Sequence, residues 1–223
     1  MLTQTFYRWS ALCTLIGAAL LLTGYWLRTD IEKELIDNFA TTQGLISSLF
    51  VAAGSLLLLT GLPGIFERQG RSLGKSGLVA SGLSLMGLAA FHLGTVALYF
   101  VLPVLVTHNA ATRALIYSDV PPFPRFALFW AVSLLIQTIG FVWLGIKSWK
   151  ASVYPKATVA LLVVGAAVTF CAPFTSFHLL KPGTTLLLVG LMGFAIDLLR
   201  SVSVRENQKA NTSTKSIAVN IAS

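Results

Sequence analysis

The sequence predicts an all-α polytopic membrane protein, a six-helix bundle, on three observations. Of its 223 residues, 55% are hydrophobic and only 11% are charged. Soluble domains carry about 25% charged residues because their surface faces water. The apolar residues also gather into six runs, each near or above the length that crosses a hydrocarbon core, with the polar residues confined between them.

The first run is 9–27. It follows one basic residue, Arg8, as a signal peptide would. Its apolar stretch is longer than a signal-peptide core and no small-x-small cleavage site follows, so it reads as an uncleaved helix. Gly24, Tyr25, Trp26 and Arg28 form an interfacial belt at its end. The next segment, 28–43, carries Asp30, Glu32, Glu34 and Asp37, with Ile31, Leu35, Ile36 and Phe39 at helical spacing. It reads either as a short amphipathic helix on the outer surface, opened by a Thr29–Glu32 capping box, or as a solvated loop.

The second run is 44–66, and a basic loop with Arg68, Arg71 and Lys75 is expected over 67–76. The third run is 77–102, long enough to span with tilt. An extramembrane segment, 103–125, contains Val120-Pro-Pro-Phe-Pro124, which is excluded from a helix interior because proline lacks an N–H. The fourth run, 126–146, leads to a loop with Lys147, Lys150 and Lys156. The fifth is 157–177. The sixth, 184–199, is the shortest and lies near the lower limit for a span. Residues 1–200 thus form one membrane domain. The polar tail 201–223 is expected to be cytoplasmic and disordered.

Orientation follows from the sixteen Lys and Arg residues. With the N-terminus in the cytoplasm, eleven fall on inside segments and five (Arg28, Lys33, Arg113, Arg125, Lys181) on outside ones. Positive residues are retained on the cytoplasmic side, so both termini are expected there, in the cell membrane. The Asn211-Thr-Ser213 sequon would then never meet a glycosylating enzyme. A net charge of +8 placed in such loops is a membrane signal, and the chain has no basic stripe with interleaved aromatics. Nucleic acid is excluded as a partner. The expected partners are the lipid bilayer and another membrane protein or a second copy.

Small residues line single faces: Gly77, Ser81, Ser84, Gly87 and Gly94; Ser133, Gln137 and Gly140; Gly190 and Gly193 continuing to Asp197. Lipid tails are as apolar as leucine, so helices associate through close packing and hydrogen bonds, and these faces are expected to point inward. Cys13 and Cys171 fall at different membrane depths, too far apart for a disulfide, and read as two small apolar core residues.

Few residues offer chemistry. The stretch Gly70-Arg-Ser-Leu-Gly74-Lys75-Ser76 imitates a phosphate loop but has three residues between its glycines where four are needed, and it joins two apolar runs; no nucleotide is expected. His92, His108 and His178 all fall toward the outer side and are the candidate cofactor ligands, for a haem or redox centre. Without an H-x-x-x-H spacing or a nearby carboxylate they make no metal site, and no cofactor is assigned. Asp197, one turn before Arg200, is expected to pair with it, or alternatively to be a proton or cation site. Gln137, near the middle of its helix, is expected to bond across helices, or alternatively to touch a transported substrate. No catalytic pattern is present, which leans against an enzyme.

The segment Gly61-Leu-Pro-Gly-Ile-Phe-Glu-Arg68-Gln69, followed by Gly74-Lys-Ser-Gly77-Leu-Val-Ala-Ser-Gly82-Leu-Ser-Leu-Met-Gly87, resembles a recurrent segment of small, uncharacterised bacterial multi-pass membrane proteins. In that group a helix ends in Gly-Leu-x-Gly, an Arg-Gln loop follows, and the next helix resumes with Gly-Leu and spaced glycines. The resemblance extends loosely over residues 44–199 and departs from the group at Pro63 and Asp197. It implies a bacterial cytoplasmic membrane and carries no activity. The expected function is therefore a structural or accessory membrane component acting through partners. The alternatives are a small transporter using Gln137 and Asp197, and a redox protein using the histidines.

Overall fold

A computed structural model describes residues 4–27, 41–108, 124–175 and 177–222. Six of its helical stretches are long and apolar enough to cross a membrane. They are α1 (Gln4–Leu27), α2 (Thr42–Arg68), α3 (Leu73–Val96), α4 (Leu128–Ala151), α5 (Lys156–Thr175) and α6 (Leu180–Val204). The described residues contain no strand. The all-α, six-helix class is the one the sequence predicts.

The boundaries differ from the sequence reading in instructive ways. The expected loop 67–76 is helical almost throughout. Thr42–His108 is helical except at Gly74, whose φ of 63° and ψ of −159° break the path between α2 and α3. Only glycine takes that conformation without a steric penalty. Lys147 and Lys150 belong to the last turns of α4, whose helical backbone runs Pro124–Ala151. Long basic side chains keep their stems on apolar surface while the amines reach water, and cations favour a helix C-terminus. Pro124 opens that helix at a position where a missing N–H is harmless. The sixth span, read as short, gains a turn at its start and another at its end. Its helical backbone then continues to Ala222. Residues 28–40 of the segment after α1, read as an amphipathic helix or a solvated loop, and residues 109–123 of the proline-rich segment lie outside the described residues.

The helices pair as three antiparallel hairpins, α1 with α2, α3 with α4, and α5 with α6, and further contacts join α1 to α6 and α4 to α5. The small residues explain the hairpins. A Cβ on Gly17 would collide with the backbone of Leu58, and one on Gly54 with the backbone of Gly17 and Leu21. Gly87 sits against the backbone of Gln137, Gly140 against Ser84, Gly165 against Leu187, and Gly190 against Leu162. The faces expected to point inward do so. Leu58, Leu62, Leu88, Leu134, Phe141, Leu144, Leu188 and Leu191 fill the seams and are fully buried, while Leu56, Leu78, Leu93, Leu128 and Phe174 point outward. Large exposed apolar side chains on every helix are what a lipid-facing surface requires.

Most buried hydroxyls are satisfied within their own helix. Thr14, Ser55, Ser84, Thr95, Ser133 and Thr169 each donate to the carbonyl four residues earlier, at 2.6 to 2.9 Å. Ser47 instead crosses from α2 to the Gly24 carbonyl of α1 at 2.8 Å. Both uses remove a polar group from hydrocarbon.

Candidate functional site

Polar side chains concentrate in two places. The first is the end of the bundle where α2 stops and α5 begins. Arg68 is the last residue of α2. Its Nη1 lies 3.1 Å from Oδ2 of Asp197 on α6, with both side chains about a quarter exposed. Nη1 itself is buried and makes no aligned hydrogen bond, so the contact is an ion pair set by proximity. The same guanidinium stands 5.2 Å from the centre of the Tyr154 ring. Tyr154 in turn stacks on Phe194, one turn before Asp197, with ring centres 4.1 Å apart and planes 15° from parallel. On the neighbouring face Tyr7 of α1 meets the carboxylate of Glu67, the residue before Arg68.

Local structure places Tyr154. After α4 the chain closes a Schellman motif: Ser152 N–H donates to the Trp149 carbonyl and Val153 N–H to the Ser148 carbonyl, both at 3.4 Å. Ser152 has a φ of 49°, the left-handed conformation that motif needs. The reversal turns Tyr154 inward until only 4% of it is exposed. Its hydroxyl has no hydrogen-bond partner. Burial pushes the phenol well above the ordinary tyrosine value; Arg68 pulls it down and Asp197 pushes it up. Tyr154 is therefore neutral at physiological pH.

Asp197 does not pair with Arg200 as the spacing predicts. The glycine face carrying Gly190, Gly193 and Asp197 turns toward the other helices, whereas Arg200 is exposed on the outer side of α6. The partner comes from α2, a pairing no local spacing encodes. Arg68, at the end of α2, thereby touches two distant parts of the chain, the α4–α5 turn and α6.

The second concentration is the seam between α3 and α4. Ser81, Ser84, His92 and Thr95 face Ser133 and Gln137, all buried. Trp130 stacks on Phe91 with ring centres 5.1 Å apart, and its indole N–H reaches the Thr95 hydroxyl at 3.4 Å. His92 packs edge-on against Phe91. Three atoms here have no hydrogen-bond partner: Ser81 Oγ, His92 Nδ1 and Gln137 Oε1. An unpaired buried polar atom costs about 1–3 kcal/mol, so three on one hairpin mark a place where water or a ligand group would be accommodated.

The three histidines are not brought together as a ligand set. His92 is buried in α3, while His178 is exposed in a 3-10 turn, Phe177–Leu179, between α5 and α6. His108 ends the helical stretch after α3, and its side chain lies outside the described residues. Among the described residues no group of three or more His, Cys, Asp or Glu could hold a metal. Cys13 and Cys171 are both free thiols; Cys13 is half-buried, whereas Cys171 is exposed on the outward face of α5 and is not the core residue the sequence suggests. Gln137 and Asp197, the transport candidates, belong to different concentrations of polar groups.

Sequence reasoning missed Arg68, Tyr154 and Glu67 as members of a cluster. Arg68 was legible only as a loop cation. No protein-family model matches the chain, and comparison with the curated proteins and with the solved structures finds no match.

Proposed function

We propose that this protein is a structural or accessory component of the bacterial cytoplasmic membrane, acting through contacts with another membrane protein or a second copy of itself. The observation that carries the reading is the use of the two carboxylates in the described spans: Glu67 at the end of α2 is held by the Tyr7 hydroxyl of α1, and Asp197 lies deeper in α6. Asp197 is neutralised by an arginine from a different helix, an arrangement that ties elements together and leaves no free charge to bind a passing cation. Most other buried polar groups close onto their own helix, which fits packing. Six crossings with eleven of sixteen cations on one side support both termini in the cytoplasm.

Two experiments test this. Reporter fusions before Gln4 and after Val204 should both read as cytoplasmic; opposite faces would overturn the topology. Photo-crosslinkers at the lipid-exposed positions Leu56 and Phe174 should each trap a defined protein, which a second copy would satisfy. Crosslinks to lipid alone at both positions would overturn the accessory reading.

A second reading has its own support. The unpaired atoms of Ser81, His92 and Gln137 favour a small-molecule or ion pathway along the α3–α4 seam. It requires a solute flux in sealed liposomes that falls in Gln137→Leu. Flux equal to that of empty vesicles removes it.

A further inference from the structure

We propose that the groove between α4 and α5 is a binding site for one acyl chain of an anionic phospholipid, whose phosphate is held by Lys150 and Lys156. The groove has a volume of about 340 Å³ and is walled by Gly145, Ile146, Trp149, Ala160, Val163 and Val164, with Lys150 also in its lining. It opens outward: Ile146, Trp149 and Val164 are each between 44% and 50% exposed.

Its shape limits the occupant. The lining covers residues 145–150 of α4 and 159–164 of α5, under two turns of each helix. That is about 8 Å of rise, shorter than the roughly 10 Å width of a helix lying across it, so a partner helix would seat only a fraction of its face. An acyl chain is narrow enough to enter along the groove and needs no polar contact within it. Apart from Lys150 at its end, the wall is apolar, which meets that requirement.

Its charge selects the headgroup. Lys150 is the last lysine of α4, Lys156 opens α5, and both side chains are exposed at the same end of the groove. The Lys156 amine stands 5.7 Å from the centre of the Trp149 ring, directly above the groove wall. Lys147 lies one turn earlier on α4. No acidic residue occurs anywhere between Asp119 and Asp197, so these amines have no carboxylate on either helix or on the turn between them. Basic pockets between membrane helices recognise anionic headgroups, and each lysine near the membrane surface contributes about fivefold in affinity. Trp149, at the boundary between the groove and the amines, sits where an indole anchors at the headgroup level.

The test uses the intact chain in vesicles of phosphatidylcholine containing either phosphatidylglycerol or phosphatidylcholine with brominated acyl chains. Emission from Trp149 is taken as the difference between the wild type and Trp149→Phe. Brominated phosphatidylglycerol should quench that emission more strongly than brominated phosphatidylcholine, and K150Q/K156Q should abolish the difference. Native mass spectrometry gives a second readout. The wild type in detergent with equimolar phosphatidylglycerol and phosphatidylcholine should retain the anionic lipid at least fivefold over the neutral one. That ratio should collapse in K150Q/K156Q but persist in Lys75→Gln, which removes a cation elsewhere. Ala160→Phe, which fills the groove and spares both lysines, should lose the bound lipid. Equal quenching by the two headgroups, or full retention in Ala160→Phe, would overturn the proposal. If Ala160→Phe fails to fold, the quenching comparison on the wild type decides alone.

Discussion

The Arg68 guanidinium and the Asp197 carboxylate meet at 3.1 Å, joining the end of α2 to the second half of α6. With a quarter of each side chain exposed, the pair stands between a surface ion pair, worth up to about 1 kcal/mol, and a buried one, whose breakage costs about 3–5. Arg68→Gln and Asp197→Asn should each lower stability by about 1–2 kcal/mol. The double variant should lose less than the sum, because either substitution alone already breaks the contact. Equilibrium unfolding in mixed micelles measures the cycle, and strictly additive losses would show that the two groups do not interact.

Tyr154 supplies a pH signature. Its phenol is raised above the ordinary value near 10 when folded, chiefly by burial. The unfolded chain therefore releases this proton first as pH rises. Stability from this group is fully present below pH about 10 and is lost progressively above it. Tyr154→Phe should leave stability near neutrality unchanged or slightly improved, because the hydroxyl it removes is buried without a partner. It should also reduce the alkaline loss. A wild-type alkaline profile in the variant would show that Tyr154 is not the responsible group.

The turn that aims Tyr154 contains a correctable strain. Ser152 occupies the left-handed region that glycine usually fills in a Schellman motif. Ser152→Gly should raise thermal stability by about 0.5–1 kcal/mol, the left-handed penalty for a residue with a Cβ less the entropy glycine adds to the unfolded chain. A loss of stability would mean that the serine hydroxyl contributes more than its backbone costs.

Two glycines of α3 make a matched pair. Gly87 is pressed against the backbone of Gln137, while Gly82 has open space where a Cβ would go. Gly87→Ala should destabilise by about 1–3 kcal/mol, since backbone cannot move aside as a side chain can. Gly82→Ala should be neutral or stabilising by up to about 1 kcal/mol through helix propensity. Similar effects at both positions would contradict the packing of α3 on α4.

These residues also show what the sequence makes legible. The spans are visible because hydrocarbon demands long apolar runs with internally satisfied backbones, a local property of chain segments. The inward faces are visible for a related reason: Ser84 and Gly87, Gln137 and Gly140, and Gly190 and Gly193 each stand at helical spacing on their own helix, and small residues mark where helices approach. The partner of Asp197 is not visible. Arg200 is the nearer cation in sequence, and only the packing of distant helices brings Arg68 to the carboxylate instead. The interruption between α2 and α3 is legible, but as a loop over 67–76 and not as the single residue Gly74, because basic residues read as loop even when they continue a helix. The groove between α4 and α5 is similarly hidden, since its walls are ordinary core-like residues until their neighbours leave them uncovered.

The most direct test of the claim that Asp197 is a structural partner of Arg68 is the charge swap. R68D/D197R keeps both charges in place but reverses them. It should recover most of the stability lost by Asp197→Arg alone, and liposomes carrying the wild type should pass protons and small cations no faster than empty vesicles. A swapped protein as unstable as Asp197→Arg, together with a wild-type flux abolished by Asp197→Asn, would contradict the account and make Asp197 a transport group.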